Sequence, residues 1–264
     1  MGQVISIVSQ KGGVGKTSTA ANLGACLSAM KQKVLLLELD PQCGLARCFH
    51  LDAPHVQFGL LDLLRDGAAP SEVVYLSHRR LPNLDVIPAN VQSSADEAVF
   101  VGLLRERRDL FTETLDQLAT GYDYIFIDCP PRLDYPTTTA LVASDFYLVP
   151  IQCEYAAMAT VGRVLRAALE VKRRINPLLG IYGFLITMAD KRASFTIKII
   201  EEVRQYLKER VFKTVIPRDP YLAEVPKRGE PILAYELESP GAKAYIRLAK
   251  EILTGGAHLQ RSPQ

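Results

Sequence analysis

The sequence lacks the features that would place it in several specialised classes. Its five cysteines are odd in number and scattered, with no CxxC pair, so a disulfide framework and a zinc site are both disfavoured against reduced thiols. No apolar run approaches the roughly 18 residues that a membrane-spanning helix needs. The formal net charge is only +2, so any attraction to nucleic acid must come from a local patch.

The remaining composition suits an α/β protein. The chain has 264 residues, of which 48% are hydrophobic, enough for a core on both faces of a sheet. One large domain accommodates this length, and a division into two is possible but not required. The N-terminus passes directly into a predicted strand, so we expect no signal peptide and a cytoplasmic protein.

A glycine-rich stretch at residues 10–17, QKGGVGKT, stands out near the N-terminus. It follows an apolar run at residues 4–8 and precedes the predicted start of a helix. A strand, a glycine turn and a helix N-terminus in that order form a phosphate cradle, because backbone N–H groups and the helix dipole converge on the ligand. We expect Lys16 to reach the outer phosphates and the Thr17 hydroxyl to bind magnesium.

Two residues of this stretch depart from the general GxxxxGK[ST] pattern. Gln10 stands where the first glycine is expected, and Lys11 is an additional lysine. The alternative interpretation is a glycine turn with two solvated lysines. Because the strand and the helix that the motif requires are both predicted, we interpret the stretch as a nucleotide site.

Strands alternate with helices along the rest of the chain. This alternation predicts a doubly wound, mostly parallel sheet with helices on both faces, in a single domain over residues 1–253 with a disordered tail at 254–264. The predicted strands are residues 4–8, 33–40, 84–88, 122–128, 146–151, 181–187 and 212–216. The predicted helices are residues 17–30, 59–65, 103–119, 156–175, 195–210 and 242–253.

Two predicted strands end in a carboxylate. Asp40 and Asp128 follow buried apolar runs, and parallel sheets place ligand sites at the carboxyl ends of their strands. Asp128 has the arrangement of a Walker B acid on magnesium, and Asp40 is the better candidate to orient the attacking water. Each could instead only cap a turn. Glu38 points to the same side of the strand as Asp40, and either assists magnesium or water or pairs with Lys11 or Lys16.

Six motifs occur in order: QKGGVGKT at 10–17, LDPQ at 39–42, DCPP at 128–131, PIQCEY at 150–155, LITM at 185–188 and VIPR at 215–218. Together they closely resemble the ParA/Soj family of deviant-Walker ATPases, from about residue 3 to residue 253. The first motif alone indicates the wider MinD/ParA class. The later motifs narrow the resemblance to partitioning ATPases of the chromosomal type.

The resemblance implies ATP and Mg²⁺ as cofactors and a sandwich homodimer formed on ATP binding. Lys11 would cross to the partner's phosphates, and Gly12 would lie at the interface. The implied catalytic residues are Lys11, Lys16 and Asp40, and the implied metal-binding residues are Thr17, Asp40 and Asp128. The implied nucleotide-binding residues are Lys11, Gly12, Gly13, Val14, Gly15, Lys16, Thr17, Ser18, Met188, Pro217 and Arg218.

The resemblance further implies non-specific DNA binding, which would associate the protein with the nucleoid, and a ParB-like partner that stimulates hydrolysis. Basic clusters are usually solvated helix faces, but Arg192 matches a family arginine implicated in DNA contact. The candidate DNA-binding residues are Lys172, Arg173, Arg174, Arg192, Lys227 and Arg228. The C-terminal end lacks the amphipathic helix that membrane attachment of the MinD type needs, so we expect no membrane binding.

Several positions depart from the family pattern. Glu38 replaces an aspartate, Cys43 and Gly44 replace a Gly-Asn pair, and Arg132 replaces a small residue. Tyr221 stands where relatives have an arginine linked to DNA contact. These changes leave open a second function, a nucleotide switch that positions a protein cargo with little DNA binding. A P-loop kinase or ligase is a third alternative, but no acceptor-substrate residues are recognisable.

Overall fold

The computed structural model describes residues 2–51, 55–76, 81–154, 157–190 and 193–255. Within these ranges seven strands form one sheet. They are β1 (Gln3–Ile7), β2 (Val34–Glu38), β3 (Tyr75–Leu76), β4 (Leu84–Ile87), β5 (Tyr124–Asp128), β6 (Phe146–Gln152) and β7 (Gly180–Thr187).

Helices connect most of these strands. They are α1 (Lys16–Ala29), α2 (Gly44–Arg47), α3 (Leu60–Asp66), α4 (Pro70–Val73), α5 (Ser94–Glu106), α6 (Arg108–Leu118), α7 (Tyr135–Val142), α8 (Ala157–Arg174), α9 (Ser194–Leu207), α10 (Pro220–Arg228) and α11 (Pro240–Leu253), with 3₁₀ turns at Lys208–Arg210 and Ile232–Ala234. In the part of the chain that the structure describes, no helix is both long enough and apolar enough to cross a membrane.

The strand order is β3-β4-β2-β5-β1-β6-β7, and every neighbouring pair is parallel except β3 with β4. The predicted doubly wound, mostly parallel sheet is therefore confirmed. Within this order, the connection from β1 leads to β2 on one side of β1, and the connection from β5 leads to β6 on the other side of β1. Ligands of such sheets bind at this point, outside the carboxyl ends of the strands. The loops after β1, β2 and β5 meet there.

The core forms two layers because successive residues of a strand point to opposite faces. In β1, Ile5 and Ile7 pack with α1 and α11, whereas Val4 packs on the other face with α5, α6 and α8. The strands are buried on both faces, which is why they appear in the sequence as continuous apolar runs.

The strand predicted at residues 212–216 is wrong. This segment bonds to β7 at two points, through the N–H groups of Phe212 and Ile216. Between them, the N–H groups of Lys213 and Thr214 donate to the carboxylate of Glu251 on α11 at 2.7 and 2.9 Å. A distant side chain therefore takes the bonds that a strand ladder would need.

The single helix predicted at residues 103–119 is also wrong, because the structure has two helices, α5 and α6. They are separated at Arg107, whose φ of −111° and ψ of 33° interrupt the helical path. Helix α5 begins well before the predicted start, and the hydroxyl of Ser93 accepts the N–H of Asp96 at 3.1 Å. The Ser-x-x-Asp capping pattern is the sequence signal that could have located this start.

Gly183 on β7 provides a test of the packing. A Cβ atom there would lie 2.6 Å from Cε2 of Phe212, whose ring is fully buried. We expect Gly183→Ala to lower the free energy of unfolding by about 1–3 kcal/mol in urea titration, because the ring cannot move without displacing the core.

Gly102 on α5 is the matched control, since a Cβ there meets no atom within 4 Å. Gly102→Ala should raise the free energy of unfolding by about 0.5–1 kcal/mol, because alanine favours the helix more than glycine does. Equal effects of the two substitutions would contradict this packing.

Candidate functional site

The glycine-rich stretch forms the loop between β1 and α1. Gly13 and Gly15 have φ values of +71° and +90°, where a side chain would be strained. Gly15 is the N-cap of α1, so no side chain caps the first N–H groups, and the first turn contains no acidic residue. A helix N-terminus of this kind offers backbone donors and partial positive charge to a phosphate.

Three predicted residues meet at this helix end. The Lys16 side chain is buried, and its Nζ lies 3.5 Å from the carbonyl oxygen of Lys11. The Thr17 hydroxyl donates to Oδ2 of Asp128 at 2.7 Å. The charge of Lys16 also lowers the pKa of Asp128. The structure thus brings Lys16 and Thr17 of α1 together with the carboxylate at the end of β5.

Asp128 is fully buried, and its surroundings fit a magnesium ion. Burial raises its pKa to about 7, and the charge of Asp40 adds to this, whereas the Thr17 hydrogen bond and Lys16 act in the opposite direction. Its Oδ1 atom has no hydrogen-bond partner. A buried carboxylate oxygen without a partner, beside a hydroxyl, is a donor set that a hard cation prefers.

Asp40 lies beyond the end of β2, one strand from Asp128. Its Oδ1 accepts the N–H of Gln42 at 3.1 Å, which closes a turn at the start of the loop. The two carboxylates follow the paired strands β2 and β5, and the charge of Asp40 adds to the effect of burial in raising the pKa of Asp128. The other oxygen of Asp40 makes no hydrogen bond within the described residues, so it can accept one from a water.

Within the described residues, Glu38 does not form the ion pair with Lys11 or Lys16 considered for it from the sequence. Its buried carboxylate accepts three backbone N–H groups, from Leu45 at 2.6 Å and Ala46 at 3.2 Å on Oε1, and from Ala89 at 3.2 Å on Oε2. Burial raises its pKa to about 8, Asp128 adds to this, and the three N–H groups oppose it. Glu38 therefore ties α2, which follows the Asp40 turn, to the segment after β4.

A cavity of about 360 Å³ opens beside the glycine loop. The predicted residues that line it are Gly15, Ser18, Met188, Pro217 and Arg218. The Thr187 hydroxyl donates to the carbonyl oxygen of Val14 at 2.8 Å, which joins the end of β7 to the loop. Met188 has a φ of +53°, a strained value for a residue with a side chain, and such residues cluster at ligand sites.

The sequence did not predict that Asp219 and Tyr245 also line this cavity. Asp219 accepts the N–H groups of Tyr221 at 3.0 Å and Gly241 at 2.7 Å, so it holds the starts of α10 and α11 together. The Asp-Pro pair at positions 219 and 220 is a helix N-cap signal that could have found this residue. No local pattern points to Tyr245, which the packing of α11 on α1 brings to the site.

The Lys11 side chain and Gly12 have other neighbours. The Lys11 ammonium forms an ion pair with Glu154 at 2.5 Å, and both side chains are about one-third exposed, at 36% and 32%. A Cβ atom on Gly12 would meet only Pro131, at an ordinary 3.9 Å. Among the described residues of this chain, therefore, no contact requires a glycine at position 12.

The structure does not bring the candidate DNA-binding residues together. Helix α8 ends with Lys172, Arg173 and Arg174. Because α8 connects two parallel strands, this end of the helix lies at the amino ends of the strands, opposite the glycine loop. Lys227 and Arg228 end α10, beside α2. Arg192 lies outside the described residues.

Several of these cations are already engaged. Lys172 donates to the carbonyl oxygen of Leu179 at 2.7 Å, and Arg174 pairs with Glu170 at 3.3 Å. Arg228 pairs with Glu224 at 2.7 Å and stacks on the Tyr235 ring at 4.6 Å. Arg173 and Lys227 are exposed.

Comparison with known proteins agrees with this geometry. The AAA domain family matches residues 2–181. The chain is 41% identical to the sporulation initiation inhibitor protein Soj of Bacillus subtilis, over 97% of this chain and 100% of that protein. It is 36% identical to the chromosome partitioning protein ParA of Myxococcus xanthus, over 96% of this chain and 88% of that one.

A solved structure is also similar. Cobyrinic acid a,c-diamide synthase of Mycobacterium smegmatis, solved with an ATP analog and magnesium, superposes with a TM-score of 0.81 at 28% identity. The match covers 100% of this chain and 99% of that chain.

The contacts of Glu38 lead to a specific expectation. Glu38→Ala leaves three buried N–H groups without an acceptor, so the free energy of unfolding should fall by at least about 3 kcal/mol. Hydrogen exchange at the amides of Leu45, Ala46 and Ala89 should become faster. Glu224→Ala removes an exposed carboxylate instead and should change stability by less than about 1 kcal/mol. Unchanged exchange at the three amides of Glu38→Ala would show that Glu38 does not hold α2.

Proposed function

The chain belongs to the ParA/Soj family of P-loop ATPases, and we propose that it is a DNA-partitioning ATPase that dimerises on ATP and binds DNA without sequence preference. It hydrolyses ATP to ADP and phosphate, with ATP and Mg²⁺ as its cofactors. The proposal depends on the contact of Thr17 with the buried Asp128 beside Lys16, combined with a second lysine, Lys11, that lies outside that contact.

Each side chain of the site has a distinct proposed role. Lys16 and the N–H groups at the start of α1 bind the outer phosphates, and Asp40 orients the attacking water with its free oxygen. Thr17, Asp128 and Asp40 would hold magnesium, which neutralises phosphate charge when it is bound. The base would occupy the cavity between Met188 and Arg218. The proposed nucleotide-binding residues are Lys11, Gly12, Gly13, Val14, Gly15, Lys16, Thr17, Ser18, Met188, Pro217 and Arg218.

Two features support a site shared between two chains. Lys11 pairs with Glu154 through a partly exposed contact, which contributes little stability and is readily exchanged for another anion. A partner's phosphates would be such an anion. No described residue of its own chain requires a glycine at position 12, which is consistent with close approach of a second chain.

DNA binding is proposed at the basic residues that are not fully engaged within the chain. Arg173 at the end of α8 and Lys227 at the end of α10 are exposed, and a dimer would present each of them twice. Contacts of this kind bind phosphates and carry no sequence information. A ParB-like partner would then switch the dimer off by stimulating hydrolysis.

The second candidate function is a nucleotide switch that positions a protein cargo. Tyr221 is 40% exposed where relatives have an arginine for DNA. Tyr135, at the start of α7, is 49% exposed and lies under the guanidinium of Arg105 at 4.9 Å. An exposed aromatic ring with a cation over it suits a protein contact better than a DNA contact.

Lys16→Ala tests the nucleotide site. Loss of the charge that meets the phosphates should weaken ATP binding about 10-fold to 100-fold and reduce turnover at least about 100-fold. Calorimetric titration and a phosphate-release assay measure the two effects. Lys31→Ala, at an exposed lysine after α1, is the control. If Lys16→Ala binds and turns over ATP like the wild type, the assignment of Lys16 to the outer phosphates is wrong.

Asp40→Ala tests the role of the second acid. We expect the variant to bind ATP, to hydrolyse it at least about 100-fold more slowly and to accumulate as a dimer in sedimentation experiments, because water is no longer oriented. A variant that stays monomeric under saturating ATP and magnesium would show that Asp40 has another role.

DNA mobility shift with ATP separates the two candidate functions. If six to ten phosphates are bound, the affinity should fall about 10³-fold to 10⁵-fold between 50 and 200 mM salt. Lys227→Ala should reduce the slope of log affinity against log salt by about 1 for each phosphate that Lys227 neutralises, whereas Lys31→Ala should not change it. Absence of any shift at low salt with ATP would favour the protein-cargo switch.

A further inference from the structure

A second cavity, of about 550 Å³, lies beyond the loop that follows Asp40. It is enclosed by α2, the segment after β4 and the end of α10. It shares no lining residue with the cavity beside the glycine loop. Helix α2 separates it from the ATP site, since a Cβ atom on Gly44 would lie 3.6 Å from Cγ2 of Thr17 while Cys43 and Arg47 line the cavity.

Its charged lining is of one sign. Arg47, His50 and Lys227 line the cavity, and no described lining residue is acidic. In the part of the chain that the structure describes, His50 and Lys227 form no hydrogen bond or ion pair. Arg47 donates one N–H to the carbonyl oxygen of Gln42, which leaves most of its five donors for a ligand.

Of the acids near this lining, Glu38 accepts three backbone N–H groups and Asp40 accepts the N–H of Gln42. Asp62, which accepts the side-chain N–H of Asn90 at 2.7 Å, is paired with Arg65 at 3.1 Å. Glu224 is paired with Arg228 at 2.7 Å. Arg47 and Lys227 therefore line one cavity with no ion-pair partner among the described residues, and an anion in the cavity would supply the missing counter-charge.

The backbone around the cavity is strained. Cys43, His50 and Asn90 have φ values of +51°, +55° and +57°, and all three line it. Left-handed residues with side chains cost free energy and concentrate at ligand sites. The His50 ring packs against Gly229, and a Cβ atom at position 229 would overlap Nδ1 of that ring.

The rest of the lining combines two amides with apolar walls, and the walls are contributed mainly by Leu51, Val56, Pro88, Val91 and Pro226. A volume of about 550 Å³ is that of a typical small-molecule site, with apolar walls and a few convergent polar groups. A ligand that matches both parts has a ring system for the walls and a phosphate for the cations. Arginine and lysine are the residues that bind phosphate most strongly.

From these observations we propose that this cavity is an anion site for a phosphorylated small molecule of about mononucleotide size, distinct from the ATP site. Arg47 and Lys227 bind the phosphate, and His50 donates to it. Lys227 is also a candidate DNA-binding residue, whereas Arg47 is not, so Arg47 is the residue that distinguishes this site from a DNA surface.

Glu38 connects this site to the ATP site. Its carboxylate holds both walls of the cavity, α2 through Leu45 and Ala46 and the segment after β4 through Ala89. A ligand that binds both Arg47 on α2 and Lys227 on α10 would hold α2 from the side opposite Glu38. Occupancy would therefore add a second tie to α2, which follows the Asp40 turn.

The test uses the full chain with its ATP site filled by a non-hydrolysable ATP analogue and magnesium. GMP and inorganic phosphate are the probes, binding is measured by calorimetric titration, and amide chemical shifts locate it. We expect GMP to bind more tightly than phosphate and to shift the amides of Cys43, His50 and Asn90. Arg47→Gln and Lys227→Gln should each weaken GMP binding about tenfold or more. Both residues are exposed, so the variants should fold.

Arg204→Gln on α9 removes a charge from another face and is the matched control. Three results would overturn the proposal. The first is no binding of either probe at millimolar concentration. The second is a loss in Arg204→Gln equal to that in Arg47→Gln, which would indicate general charge attraction. The third is a duplex DNA that shifts the same amides while GMP does not, which would make the cavity part of a DNA surface.

Discussion

A buried carboxylate at the end of β5 is the constraint on which the rest of the site depends. Asp128 has one oxygen on the Thr17 hydroxyl and one without a partner, and burial raises its pKa to about 7. Such a group is costly unless positive charge lies near it. Lys16 supplies part of that charge. The glycine loop positions Lys16 and Thr17, which explains why left-handed glycines at positions 13 and 15 are needed just there. The same requirement for positive charge favours magnesium with a nucleotide.

Much of this site could be predicted from the sequence because its parts are local. Each part lies within a few residues of a strand end, and the apolar run of the strand indicates where that end is. These parts are the glycine loop, Asp128 and the turn at Asp40. Glu38 could not be interpreted in this way. Its role depends on α2 and Ala89, which are close in space only after β2 and β4 pair. The failed strand at residues 212–216 has the same cause, since Glu251 reaches it from the last helix. Local sequence patterns predict helices, strands and the residues at their ends, whereas side chains distant in the sequence determine where such predictions fail.

Lys11 differs from the other charged residues of the loop in that its contact is exchangeable. Lys16 is buried and remains near Asp128, whereas Lys11 has a partly exposed pair with Glu154. Exposed ion pairs contribute about 0–1 kcal/mol, so a partner's phosphates can displace this one at little cost. In the proposed dimer, Lys16 would serve the nucleotide of its own chain and Lys11 that of the partner. This separation, together with the unconstrained Gly12, is the physical basis for proposing a dimeric site.

Mixed dimers test this central claim most directly. Lys11→Ala and Asp40→Ala proteins should each hydrolyse ATP poorly by themselves. In a mixed dimer, the nucleotide bound to the Lys11→Ala chain has that chain's own Asp40 and receives Lys11 from the other chain. If Lys11 acts across the interface, the mixture should regain a substantial part of wild-type activity, well above the sum of its components. A mixture with no more activity than that sum would show that Lys11 acts within its own chain and would contradict the account.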